Sequence, residues 1–207
     1  MTFGGWLVFA SFWTVFVTTP GPNAVNCIQN GLNSGFRKSL WGVAAILTQA
    51  SLFLALSAVG VTALIAASPG LFWWLRLVGS IVLIGLGIRT WINATKPPAV
   101  GDTTAGSIYG RAFVIATVNA KSVAGYIAAF SQFVEPGVPL ASLMIVIFPT
   151  ALTITGLSYI GYTAIGVALG RAALGAVFNV SFRRVMAVLF VTYGVLLMVL
   201  GQQIGAP

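Results

Sequence analysis

Long apolar runs, separated by short clusters of glycine, proline and polar residues, set the pattern of this chain. Uncharged stretches cover residues 1–36, 39–75, 136–170 and 185–207. Each has room for a spanning helix of about 20 residues. Alternation at period two is weak, so helices are predicted rather than a barrel. The first helix is expected over residues 3–19. From Trp6 to Thr19 is 14 residues, about 21 Å of helix against a hydrocarbon core of about 30 Å. The run therefore stops short at Thr18-Thr19-Pro20-Gly21-Pro22-Asn23. Two prolines around a glycine predict a discontinuity inside the membrane or near its inner face. A second helical piece follows over 23–34, closed by Gly35-Phe36-Arg37-Lys38.

A second helix is expected within 39–67, a turn at Ser68-Pro69-Gly70, and a third helix over 72–93 with Trp73, Trp74 and Trp91 near its ends. Residues 93–109 form the extended polar linker. The fourth helix is expected over 110–134. The fifth lies over 140–169, with a tilt or kink at Pro149. Residues 171–183 are expected along the interface, and the sixth helix over 184–201. The fold class this predicts is an all-α integral membrane protein of six transmembrane helices with a discontinuous first helix. It forms a single membrane domain over 1–207: a first repeat at about 3–93, a linker at 94–109 and a second repeat at about 110–202. Arg76-Leu77-Val78-Gly79 and Arg184-Val185-Met186-Ala187 open the third and sixth helices alike. Three helices per half would make the repeats inverted.

Composition agrees. The chain is 58% hydrophobic and 6% charged, where a soluble domain carries about 25% charged residues. The net charge of +8 suggests nucleic acid, but the ten basic residues are thinly spread and form no stripe. With six helices, Arg37, Lys38, Arg89, Lys96, Arg111, Arg171, Arg183 and Arg184 fall on one side and Arg76 on the other. The positive-inside rule then puts both termini outside the cytoplasm. The N-terminal run has no basic n-region and no cleavage site, and is expected to be retained. A single cysteine, Cys27, and no histidine leave no metal or cofactor site to expect. With both acids, Asp102 and Glu135, in predicted loops, the usual catalytic sets are missing and an enzyme is not expected.

The candidate chemistry gathers at two places. The helix restarting at Asn23 points its N-terminal amides at whatever fills the gap, a position favouring an anion such as a carboxylate. Asn23, Asn26, Asn30 and Asn33 recur every three or four residues and share a face. Asn119-Ala120-Lys121 sits about ten residues into the fourth helix. A lysine at that depth costs a few kcal/mol and needs a partner. Three fates stay open: a backbone carbonyl freed at Pro20 to Pro22, a substrate carboxylate, or snorkelling to the interface. Pro20, Gly21, Pro22, Asn23, Asn26, Asn119 and Lys121 are the candidate binding residues. Asn30, Gln49, Gln132, Thr155, Ser158 and Tyr162 are further lining candidates. Hydroxyls of this kind also bond their own backbone. Gly31/Gly35 and Gly166/Gly170 have the spacing of close helix packing.

In order, Pro20-Gly21-Pro22-Asn23, Gly35-Phe36-Arg37, Leu75-Arg76-Leu77-Val78-Gly79 with Gly85-Leu86-Gly87, Val118-Asn119-Ala120-Lys121 and Ser131-Gln132-Phe133-Val134 resemble the LysE/RhtB amino-acid exporter family over nearly the whole chain. The resemblance implies a six-helix, multi-pass protein of the bacterial inner membrane, exporting amino acids or related metabolites on the electrochemical gradient. It also implies a small-molecule substrate and lipid contact, and leaves a homo-oligomer open. Three positions depart from the family pattern. Ala120 stands where the family usually has proline, which leaves open whether the fourth helix is broken there as the first is. Ser131 replaces another proline. Thr153-Ile154-Thr155-Gly156 lacks the acid many members carry. The expected substrate is accordingly neutral or zwitterionic, with Lys121 the one evident titratable carrier. The alternative is a non-transporting membrane subunit or scaffold.

Overall fold

The computed structural model describes residues 1–67, 69–96, 107–134, 138–170, 172–177 and 179–205. Among them there are eight helical segments and no strand. They are α1 (Phe3–Thr18), α2 (Pro22–Ala67), α3 (Pro69–Ile92), α4 (Ile108–Val118), α5 (Ala120–Phe133), α6 (Leu140–Leu169), α7 (Ala172–Val177) and α8 (Val180–Gly205). Ser68, most of the polar linker, the Glu135 turn and Arg171 lie outside the described residues.

Thr2 caps α1 by accepting from the Gly5 amide at 3.1 Å. The helix ends where proline chemistry requires. Thr19, the residue before Pro20, is extended (φ −66°, ψ 122°), because the proline ring excludes the helical region at the preceding position. Pro22 then opens α2 at the first helical position, where its missing N–H costs nothing. Inside α2, Gly35 has φ 71° and ψ 171°, a conformation that belongs to glycine. It divides α2 into a short arm, 22–34, and a long one, 36–67. Gly170 ends α6 with a positive φ of 54°. In both GxxxG pairs the second glycine thus turns the chain, and the first does the packing. A Cβ on Gly166 would fall 2.8 Å from the Ile28 Cα, and one on Gly31 would fall 3.2 Å from the Val167 nitrogen. The short arm and α6 touch backbone to backbone there.

The fourth span, expected over 110–134 with its continuity at Ala120 left open, is broken. α4 stops at Val118, Asn119 is extended (φ −71°, ψ 102°), and α5 starts at Ala120. The reason is local. The Asn119 side-chain oxygen accepts from the Lys121 amide at 3.1 Å, an N-cap that restarts a helix without proline. The 171–183 segment, expected along the interface, contains α7 and the first turn of α8.

The long arm of α2 and the short arm pack against α6 and α4, and α3 packs against α8 and α5. An aromatic cluster fills one end. Phe9 and Phe12 lie 5.2 Å and 5.9 Å from Phe133, Trp13 is 5.4 Å from Tyr126, and Phe16 is 6.5 Å from Phe190. Gly125 makes room for the Phe16 ring, since any Cβ there would overlap it.

The surface inverts that of a soluble protein. Phe3, Trp41, Leu56, Ile92, Val118, Ile145 and Leu157 are exposed, while Asn23, Asn26, Asn30, Gln49 and Asn119 are buried. Apolar area left open on this scale marks a surface meant for something other than water. Among the described residues two helices, within Pro22–Gly60 and Leu140–Leu169, are long and apolar enough to cross a membrane, with mean hydropathies of 1.9 and 2.0.

Candidate functional site at two helix breaks

The two breaks meet. Ending a helix strands its last carbonyls, and buried carbonyls need donors. Pro22 lacks the N–H that would have served Thr18, four residues earlier. The Thr18 carbonyl instead accepts from the Tyr162 hydroxyl of α6. The next carbonyl, that of Thr19, accepts from the Lys121 ammonium at 2.6 Å. Of the three fates open to Lys121, the structure has the freed carbonyl. The ammonium also lies 5.2 Å from the centre of the Phe16 ring, a cation–π contact. Gly21 sits beneath the lysine stem, 3.7 Å from Cδ to where a Cβ would stand.

These groups surround a small cavity of about 10 Å³, lined in part by Thr19, Gly21, Asn23, Asn119, Lys121 and Thr155, with room for about one water. The Asn23 side chain lies against the Tyr159 hydroxyl, and its oxygen, fully buried, has no hydrogen-bond donor. Thr155 holds the far wall. Its hydroxyl accepts from the Trp13 indole at 3.0 Å, and the same indole N–H reaches the Ala151 carbonyl at 3.0 Å.

Of the candidate binding residues, Gly21, Asn23, Asn119 and Lys121 line the cavity. Pro20 and Pro22 shape the break beside it. Asn26 is buried outside it, its amide nitrogen unpartnered. Of the further candidates, Thr155 lines it and Tyr162 closes the break behind it. Asn30 faces elsewhere, accepting from Arg111 of α4 at 2.5 Å. Gln132 donates to the Ser80 hydroxyl at 3.0 Å, joining α5 to α3. Gln49 is buried outside the cavity with neither polar atom paired, and Ser158 is half-buried on α6 outside it too. Sequence reasoning missed Phe16, Thr19, Ser122, Tyr126 and Tyr159 as lining residues. Thr19 was findable, because the residue before a proline leaves the helical region and its carbonyl then has no donor within the helix. The aromatic residues carry no local signal of a site.

A ring of exposed apolar side chains around a polar seam, where two broken helices share a lysine, defines an α-helical membrane protein. The family model described as LysE type translocator matches residues 14–204, and the chain belongs to this family. It is 31% identical over 171 residues to a protein named uncharacterized membrane protein from Vibrio cholerae serotype O1, covering 80% of this chain and 82% of that one. It is 26% identical over 200 residues to the homoserine/homoserine lactone efflux protein of Salmonella typhimurium, covering 95% and 97%. It is also 26% identical over 163 residues to the leucine efflux protein of Salmonella choleraesuis, covering 73% and 76%. No solved structure matches.

Proposed function

We propose that this chain is a secondary exporter of a small neutral or zwitterionic amino acid, or a related metabolite, in a bacterial inner membrane and coupled to the proton gradient. The observation that carries the reading is the Lys121 ammonium bonded across the first helix break, with no carboxylate among the described residues that line the cavity. Broken helices that turn their ends toward a shared point are the usual substrate sites of secondary transporters. The substrate carboxylate would sit between the amides opening the 22–34 arm and Lys121, with Asn119 and Asn23 as further partners. Asn26 would extend the polar lining as the site opens. A lysine or arginine substrate would need an intramembrane carboxylate, and the sequence offers none. The relatives named for homoserine, homoserine lactone and leucine fit a substrate of this size. Homoserine lactone has an amino group and no free carboxylate, which makes the amino group common to all three.

The same proposal takes six crossings in two inverted halves. The first half pairs the broken helix α1 and 22–34 with 36–67 and α3. The second pairs the broken α4 and α5 with α6 and α8. Support comes from the α3–α8 contact. A Cβ on Gly87 would meet the Ala187 carbonyl at 2.8 Å, and one on Gly194 would meet the Ser80 carbonyl at 3.0 Å. Residues seven apart on each helix thus make the same contact with roles exchanged, as a two-fold axis requires. Arg183 donates to the Ala94 and Lys96 carbonyls, at 2.8 and 2.5 Å, and Arg184 lies 5.1 Å from the Trp91 ring. The basic residues of the third and fifth loops therefore cluster at one end, which supports a cytoplasmic face there and termini on the other side.

The test is flux. Comparing metabolites inside and outside cells with and without the protein identifies the exported compound. Purified protein in proteoliposomes should then move it against its gradient when a pH difference is imposed. Absence of any flux would favour a subunit or scaffold. Proton-dependent flux persisting in Lys121→Gln would remove Lys121 as the carrier, and export persisting in the Asn23→Ala, Lys121→Ala double variant would remove the site.

A further inference from the structure

We propose that the place held by the Lys121 ammonium is the seat of the substrate's own ammonium group, so that binding exchanges one ammonium for another. The inference rests on the site assigned above and adds what the substrate must displace. The place is built for an organic cation. The Thr19 carbonyl offers a lone pair at 2.6 Å, and the Phe16 ring offers its face at 5.2 Å. A metal cation would want a shell of oxygens where that ring lies. An alkylammonium wants a few strong acceptors and tolerates an aromatic face.

A second observation points the same way. Asn23 lines the same cavity, is 3% exposed, and its side-chain oxygen has no donor. A buried acceptor left unpaired is destabilising, and is rare unless something fills it in another state. The Lys121 ammonium bonds Thr19 and does not reach the Asn23 oxygen, so that acceptor stands open to a second donor. The missing component is a donor, which a carboxylate alone would not supply.

Space makes the exchange obligatory. A cavity of about 10 Å³ admits no amino acid. Lys121 is half-buried on a flexible four-carbon stem, and is the lining group best able to swing aside without moving a helix. When it leaves, the incoming ammonium takes Thr19 and Asn23. The lysine, still charged, turns onto the incoming carboxylate where there is one. A substrate without a carboxylate still takes the seat and forgoes that second contact.

The seat can be read without any transport. Purified Lys121→Ala in detergent vacates it, and ethylammonium chloride is the probe, with sodium chloride and sodium propionate as matched controls. Thermal unfolding should show ethylammonium stabilising the variant at a concentration at least tenfold below any effect on the wild type, with neither control doing so. Adding Phe16→Leu should weaken that response several-fold. Lys121→Met, which keeps the apolar stem, serves if the alanine variant does not fold. Equal responses of variant and wild type would overturn the seat, as would stabilisation of the variant by sodium equal to that by ethylammonium. Proton-coupled flux failing while ethylammonium still selects the variant would instead overturn the exporter and leave the seat standing.

Discussion

The two helix breaks sit side by side and are made by different means. The first is covalent. Pro20 and Pro22 remove two backbone donors, Gly21 relaxes the turn between them, and no change in neighbouring side chains would restore the helix. The second is a matter of one side chain. Val118-Asn119-Ala120 contains nothing that forbids a helix, and the gap exists because the Asn119 oxygen takes the Lys121 amide at 3.1 Å. The difference teaches that a discontinuity has two separable parts: the loss of helical backbone, and the capture of the groups it strands. At the first break the loss is built in and the capture comes from elsewhere, from Tyr162 and Lys121. At the second the capturing group is what causes the loss. The first is therefore stiff, and the second is the more readily reshaped.

Substitutions can break this comparison or sharpen it. Severing the link between the breaks should do most. Lys121→Met leaves the Thr19 carbonyl without its ionic donor, a contact worth about 1.5–3 kcal/mol, and flux in proteoliposomes should fall by about 10- to 100-fold. Unchanged flux would mean that the breaks work independently. Next comes Asn119→Ala, which removes the cap at a cost of about 0.5–2 kcal/mol. Flux should fall, and hydrogen exchange should slow at residues 119–122 as α4 and α5 fuse. Adding Ala120→Pro to it should restore the gap by the covalent route and recover most of the flux. A double variant as inactive as the single one would show that the Asn119 side chain serves for more than capping. Tyr162→Phe should cost about 1 kcal/mol in thermal or denaturant unfolding, the size of a typical hydrogen bond, and weaken flux less than Lys121→Met does. Ala120→Pro alone should do least. Asn119 already has the extended backbone that proline demands of its predecessor. The variant should keep wild-type flux and gain about 0.4–1 kcal/mol.

The same asymmetry explains what the sequence made legible. The first break, the closing glycine at Gly35, the span over Leu140–Leu169 and the clustering of Asn23 with Lys121 all follow from residues whose backbone chemistry or burial cost acts locally. Proline and glycine carry their instructions with them. The second break stayed open in the sequence because asparagine in a helix has two readings, a tolerated interior residue or a cap, and only the packing around Lys121 selects between them. The lining candidates separated for a like reason. Spacing puts Asn26 and Asn30 on the side of Asn23, yet it does not say which neighbour faces each one. Arg111 claims Asn30 from α4, 81 residues away. Gln132 shares α5 with Lys121 and still turns to α3, because Ser80 is there to accept from it. The aromatic cluster was visible only as hydrophobic bulk, since the rings find one another across α1, α5 and α8.

The Lys121–Thr19 bond also bears on how the chain is built. The partners are 102 residues apart, and the acceptor is made first. A charged lysine entering the membrane alone costs about 2.5–3.5 kcal/mol. By the time α5 leaves the ribosome, the N-terminal half has been synthesised, with its proline-freed carbonyl waiting. The early half of the protein can thus serve as the solvent into which the late half's membrane lysine is delivered. Reversing the order, by a circular permutation that makes α4 and α5 first, would leave that charge to lipid for as long as the carbonyl took to arrive.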